Sequence, residues 1–471
     1  MTINILPDDV LLEIFDFYVI EVGDFNFSLM SIGIRAKGEW KTLAHVCRRW
    51  RSVVFQSPRH LNLRLICTHN TPARDTLDIW PPFLLVIWVN RLINDLSKLD
   101  NIAAALEHND RVCQIQVTCF TSSLFGLVTE SEAMQRPFPE LTDLQLRMLD
   151  HAVPIPDSFM SGTAPRLRSL ELYAIPFPGI TRLLSSATHL VNLDLDDIPS
   201  SGYIPPEAMA TTLFALTSLE SLRLRFESPR SHDRPHPPLE SRRPPPLTLS
   251  ILPSLTTLWF EGASEYLEVI LAPIDAPRLN KMQIRFFFDQ IIFATPQLSQ
   301  FISRSPTLRA PGTGQIEFDL AFTVLRFSSQ TSGNVLIVEI PRGAAGRVSS
   351  ISSVTRVCTS SFSPVSTLED LYIYDRPIYW QDDFENPLWL ELLHSFAAVK
   401  NLYLRNNFFC HIAPILQEPV EGRTTNALPT LENIYLGEFQ LGPSGLTRGI
   451  PKFVGARRLT GHSVTLSRWG R

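Results

Sequence analysis

LRSLELYAI, residues 167–175, decides how most of the chain is read. Leucines at its fourth and sixth positions alternate with Ser169, Glu171 and Tyr173, the pattern of a short strand with one buried face. The leucine at its first position packs at the turn before the strand. The frame L-x-x-L-x-L recurs as VCQIQV from Val112, LTDLQL from Leu141, LVNLDL from Leu190, LESLRL from Leu219, LTTLWF from Leu255 and LNKMQI from Leu279. It returns as LEDLYI from Leu368, VKNLYL from Val399 and LENIYL from Leu431. Most intervals are 23 to 36 residues, and one, from Leu279 to Leu368, is 89. That long interval is expected to hold two further degenerate units, near Leu308 and at VLIVEI from Val335. Between frames, stretches such as GITRLLSSATH (179–189) and PEAMATTLFALTS (206–218) have helical apolar spacing and would return the chain.

One such unit cannot bury its apolar face alone, whereas stacked neighbours bury a continuous core. A frame repeated at this period resembles a leucine-rich-repeat solenoid, here over about residues 63–445 of a domain expected to span 63–471. The resemblance implies an α/β fold with parallel strands on the concave side and helices and loops outside. The chain departs from that family at the ninth position, where an Asn or Cys is usual. Leu149, Ile175, Ile198 and Phe439 stand there, and only Asn407 fits. No asparagine ladder is expected there, and the curvature should be irregular.

In parallel strands the third, fifth and seventh positions face the open side. The fifth includes Trp259 and, in the last three frames, Tyr372, Tyr403 and Tyr435; the seventh includes Arg147, Arg225, Arg285, Arg405 and Tyr374. Aromatics and arginines dominate interface hot spots. Trp259, Tyr372, Tyr374, Tyr403, Tyr435 and Arg405 are therefore the candidate substrate-binding residues. The plainer reading, that tyrosine is a good strand residue, stands beside it. Residues 228–248 contain PRSHDRPHPPLESRRPPP, whose seven prolines among charges predict a disordered insertion.

The amino-terminal sixty residues follow another pattern. Leu6-Pro7-Asp8-Asp9 is a helix start, since proline is tolerated at the first helical position and acids there suit the helix dipole. Leu11, Ile14, Phe15 and Tyr18 then form one apolar stripe. A second periodic segment begins at Trp40, with Leu43, Val46, Cys47 and Trp50 on one face, and ends at Ser57-Pro58. As a metal site this segment fails, because His45 and Cys47 sit two apart on a helix. As a nucleic-acid patch it is weak, three arginines on a polar helix face being usually solvated.

LPDDVLLEIFDFY followed by WKTLAHVCRRWRSVVFQSPRHLNL resembles an F-box, and most closely the F-box families of mushroom-type fungi; it covers residues 1–62 as a domain. The linking segment 21–39 is longer than is usual for that family. The resemblance implies a three-helix module docked on a Skp-type adaptor and, through it, a cullin. Its implied contacts are Leu6, Pro7, Ile14, Phe15, Leu43, Val46, Cys47 and Trp50. It also implies a substrate-recognition subunit of a ubiquitin ligase, binding a protein target through the repeats and having no catalytic residue of its own.

Composition agrees with a folded, intracellular, cytoplasmic or nuclear protein: 44% hydrophobic, 19% charged, net charge −5. That charge gives no global attraction to nucleic acid or anionic membrane. Six scattered cysteines without a CxxC pair suit a reducing compartment. MTINILPDDV lacks a basic start, so no signal peptide is expected. FLLVIWV (83–89) is too short to span a membrane and reads as a buried strand. No phosphate loop, GxGxxG after a strand, HExxH or GxSxG occurs, and no cofactor or metal is expected. Two alternatives stay open: a repeat scaffold whose F-box-like start only caps the stack, and a hydrolase using a dispersed Cys-His pair.

Overall fold

Each of the ten leucine frames runs into a strand, and the apolar residues at its first, fourth and sixth positions are buried, as in Leu167, Leu170 and Leu172, except Leu436, which is half-buried. The computed structural model describes residues 5–18, 39–61, 63–70, 72–79, 81–89, 99–119, 121–150, 153–228, 250–287, 295–309, 311–319, 321–329, 333–341, 347–360, 363–375, 386–405, 412, 427–437 and 463–469. The proline-rich stretch 229–249, Asn407 and Phe439 lie outside them. The chain divides into two units, Met1–Ala187 and Thr188–Arg471. The boundary at residue 62 read from the sequence falls inside the first.

In the first unit, helices Asp8–Tyr18, Glu39–Val46 and Arg48–Gln56 bury Leu11, Phe15, Leu43, Ala44, Val53 and Val54. Residues 40–55 read as one helix from their spacing, but the structure breaks it at Cys47. That residue is extended (φ −159°, ψ 171°), and its Sγ accepts from Trp50 N at 3.5 Å, capping the next helix. Arg51 Nε donates to the Ala44 carbonyl at 2.9 Å, satisfying an acceptor that the break releases. Five strands follow: β1 (Arg64–Thr68), β2 (Leu84–Val89), β3 (Val112–Cys119), β4 (Asp143–Met148) and β5 (Ser169–Tyr173). β1 to β5 pair in parallel in chain order, and β2 is the buried strand expected of FLLVIWV.

The second unit holds β6 (Asn192–Ile198), β7 (Ser221–Phe226), β8 (Ser250–Ile251), β9 (Thr257–Gly262), β10 (Ile274–Asp275) and β11 (Lys281–Phe286). It continues with β12 (Thr313–Phe318), β13 (Phe322–Ser328), β14 (Val335–Pro341), β15 (Asp370–Asp375), β16 (Asn401–Leu404), β17 (Asn433–Leu436) and β18 (Thr465–Arg468). β6, β7, β9 and β11 are parallel neighbours, as are β15 to β18, while β8 and β10 form a small pair apart.

The long interval does not hold two parallel repeats in chain order. Its strands run β11-β14-β13-β12-β15, with β13 antiparallel to both neighbours. The connections decide this. Asp319 N bonds Phe322 O at 2.8 Å across a tight turn, and Ser329 N bonds Asn334 O at 3.2 Å around Gly333, whose φ is +65°. A parallel neighbour needs a crossover of about a dozen residues or more, and loops this short permit only hairpins.

A backbone joint recurs between successive frames. The carbonyl at the second frame position (Thr142, Val191, Glu220, Thr256, Glu369, Lys400) accepts two N–H groups of the next frame at 2.7 to 3.1 Å. Buried backbone polar groups are satisfied by repetition rather than by a side-chain ladder. Between helices the joint is a carboxylate. Glu268, on helix Ser264–Leu271, accepts from Gln297 N and Leu298 N, both at 2.9 Å, and so caps helix Pro296–Arg304.

Burial raises the Glu268 carboxyl above its ordinary 4.5, although these two hydrogen bonds oppose the shift. An acid raised on folding binds its proton more tightly in the folded chain. Its contribution therefore falls as pH rises from about 4.5 through the raised value. Glu268→Gln is expected to flatten that part of the curve of melting temperature against pH; an unchanged slope would remove Glu268 as its source.

Candidate functional site

Strand positions three, five and seven of β15 to β18 build one polar and aromatic face. At position five the register sets Tyr372, Tyr403 and Tyr435 side by side. Their rings stack, 4.1 Å apart at 6° and 4.5 Å apart at 10°. The stack follows from identical side chains on strands about 4.8 Å apart in register. Burial raises the Tyr403 hydroxyl, and the neighbouring Tyr372 adds to the shift. At position three lies a side-chain ladder: Thr465 Oγ1 donates to Asn433 Oδ1, Asn433 to Asn401 at 2.8 Å, and Asn401 to Asp370 at 2.7 Å. The asparagine ladder absent from position nine thus has a counterpart on the open face.

The candidate target-binding residues separate into groups. Tyr372, Tyr403 and Tyr435 come together, with Arg405 exposed at the end of β16. Tyr374 is on the same strand as Tyr372, but its hydroxyl lies 3.5 Å from Gln315 Oε1 and 3.4 Å from Glu317 Oε2 on β12. Trp259 does not join them. It is on β9, five strands from β15, roughly 24 Å at the usual strand spacing, and the Arg223 guanidinium lies 3.8 Å over its ring. Trp469, which no frame marks, stands 5.5 Å from Tyr372 and 5.6 Å from Tyr403.

The seventh-position arginines upstream are committed to neighbours. Arg147 pairs with Glu171. Arg225 reaches Asp196 at 3.2 Å and Glu261 at 3.4 Å; Arg285 reaches Glu261 at 3.5 Å and Glu339 at 2.5 Å. This row of alternating sign across β6 to β14 is a stabilising network within the fold.

The helical segment presents a second face. Of the residues implied as adaptor contacts, Pro7, Ile14 and Val46 (56% exposed) are on the surface. Leu6, Cys47 and Trp50 are half-buried, and Phe15 and Leu43 lie in the helical core, where the rings of Phe15 and Trp50 meet at 4.7 Å. Ile5, Val10 and Phe17 (91% exposed) extend the apolar surface beyond that set. Arg49 fixes its edge: Nε and Nη2 donate to Asp8 Oδ1 at 3.0 and 2.7 Å, and Nη2 to the Leu6 carbonyl at 2.5 Å.

Burial pushes the thiols of Cys113, Cys119 and Cys358 up to about 11, 12 and 12, the reverse of an activated nucleophile. Cys410 and His411 lie outside the described residues. Among those described, no three His, Cys, Asp or Glu side chains are grouped to hold a metal ion, and no helix is long and apolar enough to cross a membrane.

No family model matches the sequence, and no curated protein does. Among solved structures, the chain is similar to the leucine-rich repeat-containing protein LegL7 from Legionella pneumophila. The identity is 13%, over 86% of this chain and 99% of that one, with a TM-score of 0.26.

Proposed function

We propose that this chain is a protein-interaction scaffold that serves as the substrate-recognition subunit of a Skp–cullin–F-box ubiquitin ligase. The observation that carries the reading is the apolar surface of the helical segment. A small three-helix core leaves Ile5, Val10, Ile14 and Phe17 exposed on either side of the LPDD motif, and Val46 exposed at the start of VCRRW. Exposed large apolar side chains grouped in this way mark partner surfaces. The partner of this face is a Skp-type adaptor, joined through it to a cullin, and the tyrosine face of β15 to β18 takes the protein target. The chain itself performs no chemistry in this reading. It holds the target near the transfer machinery, raising its effective concentration.

Co-purification with a Skp-type adaptor tests the reading. The full chain is expected to retain adaptor, and Pro7→Ala with Trp50→Ala to lower retention by at least roughly tenfold, the scale of removing a hot-spot side chain. Failure of the intact chain to retain adaptor would sink the proposal. The burial of Phe15 and Leu43 favours a second reading, in which the helices only cap the strands and the chain is a scaffold without ligase partners. For the target face, Tyr403→Ala with Tyr435→Ala is expected to keep the fold and abolish capture of an identified target.

A further inference from the structure

The tyrosine stack carries something already. Trp469 follows β18, and its backbone N donates to the Leu436 carbonyl at 2.7 Å. Its ring does not stay over its own strand. It stands at 60° to Tyr372 and 66° to Tyr403, although Tyr372 is on β15, three strands from β18. Gly437, which follows β17, sets no side chain between them, and Arg405 packs against it, so that a Cβ there would meet Arg405 Cγ at 3.2 Å. β18 itself is four residues long and mostly exposed, so little core packing fixes this ring.

We propose that the edge formed by Tyr372 and Tyr403 is a seat for an aromatic side chain of a protein partner, tryptophan above all, and that Trp469 fills this seat in the chain alone. The inference rests on the reading that this face binds a protein, and it names the anchor. Near-perpendicular ring contacts are the arrangement aromatic pairs favour. The stacked tyrosines use their ring faces on each other, so they offer an edge for a ring to meet rather than a slot for a base to enter. The phenol oxygens and the Asn401–Asn433 ladder provide acceptors for an indole N–H. Asp370 beside Tyr403, and Glu317 beside Tyr374, disfavour an anionic ligand. Tryptophan is also the side chain most often found as an interface anchor.

The test uses the full chain and N-acetyl-L-tryptophanamide as probe, followed by saturation-transfer NMR. Trp469→Ala is expected to bind the probe at least about tenfold more tightly than the unaltered chain, a difference of about 1.4 kcal/mol. Trp469→Phe keeps a ring in the seat and is expected to behave like the unaltered chain. Adding Tyr403→Ala to Trp469→Ala is expected to remove binding again. Circular dichroism checks that each variant folds, and Trp469→Leu carries the same comparison where the alanine variant does not. Equal affinity of the unaltered and Trp469→Ala chains, binding by neither, or equal uptake of N-acetyl-L-leucinamide overturns the proposal. No adaptor or target takes part, so these outcomes are separate from those of the co-purification.

Discussion

Trp389→Ala is expected to lower the unfolding free energy of residues 188–471 by about 3–5 kcal/mol, the usual loss for a fully buried large aromatic. Trp389 lies on helix Asn386–His394 with none of its surface exposed and packs edge-to-face on Phe318 at 5.9 Å. Urea unfolding followed by circular dichroism gives the value; Phe214→Ala, at a half-exposed position, is the comparison and should cost less than about 1 kcal/mol. The pair also tests strand order. Phe318 is on β12, which neighbours β15 only because the interval between Leu279 and Leu368 is threaded backwards. A double-mutant cycle of Trp389→Ala and Phe318→Ala is expected to show a coupling of about 0.5–1.5 kcal/mol. With β14 beside β15 instead, the two rings would not meet and the coupling would vanish.

Arg285→Ala is expected to cost about 3 kcal/mol at pH 8, because it leaves the buried Glu339 without its arginine and Glu261 with Arg225 alone, and to cost less at pH 5. Arg285 lies between Glu261 and Glu339, and its guanidinium covers Phe322 at 4.9 Å. The Glu261 carboxyl is already held above its ordinary 4.5. Burial is the first cause and the nearby Glu339 and Asp196 add to it, against Arg285 and Arg225. Removing Arg285 takes away the larger of the two opposing cations, so the carboxyl rises further. A carboxyl raised on folding destabilises fully above its folded value, and not at all below its unfolded one. The deficit of the variant should therefore shrink as pH falls from neutral toward 4.5. A deficit that is flat across that range would assign the loss to packing on Phe322 instead.

Much of this fold was legible because a strand frame is local. Leucines two and three residues apart commit six residues to one buried face, and all ten frames became strands. β1 and β18 carried no such signal: Leu65 and Cys67 stand for the leucines in one, and the other, TLSR, is nearly all polar. The reversed order of β12 to β14 depends on which distant strand accepts which edge, and spacing does not record that. Part of the face is written plainly in the sequence. Position seven runs Asp196, Arg225, Glu261, Arg285 in consecutive frames, an alternation of sign that already announces mutual pairing. The tyrosine stack followed directly from one repeated position. Trp469 lay outside every frame, and the clamp of Arg49 on Asp8 joins residues 41 apart, beyond any helical period. The break at Cys47 was hidden because the apolar spacing on its two sides matches a single helix.

The backward threading of β12 to β14 bears on how fast this unit forms. Neighbouring strands of the carboxy-terminal frames join residues 31 or 32 apart, as in Asn401 to Asp370 and Asn433 to Asn401. At the two ends of the reversed segment the separations rise to 54 for Arg285 to Glu339 and 57 for Tyr374 to Glu317. A stack of repeats nucleates at any point and spreads to its neighbours, yet here the spreading front meets a seam on each side of a hairpin pair. The hairpins close within about microseconds, whereas wider separations slow the search for partners. Refolding of residues 188–471 should accordingly proceed as three blocks, β6 to β11, β12 to β14 and β15 to β18, each quick within itself. The rate of the whole is then set by the closing of the two seams.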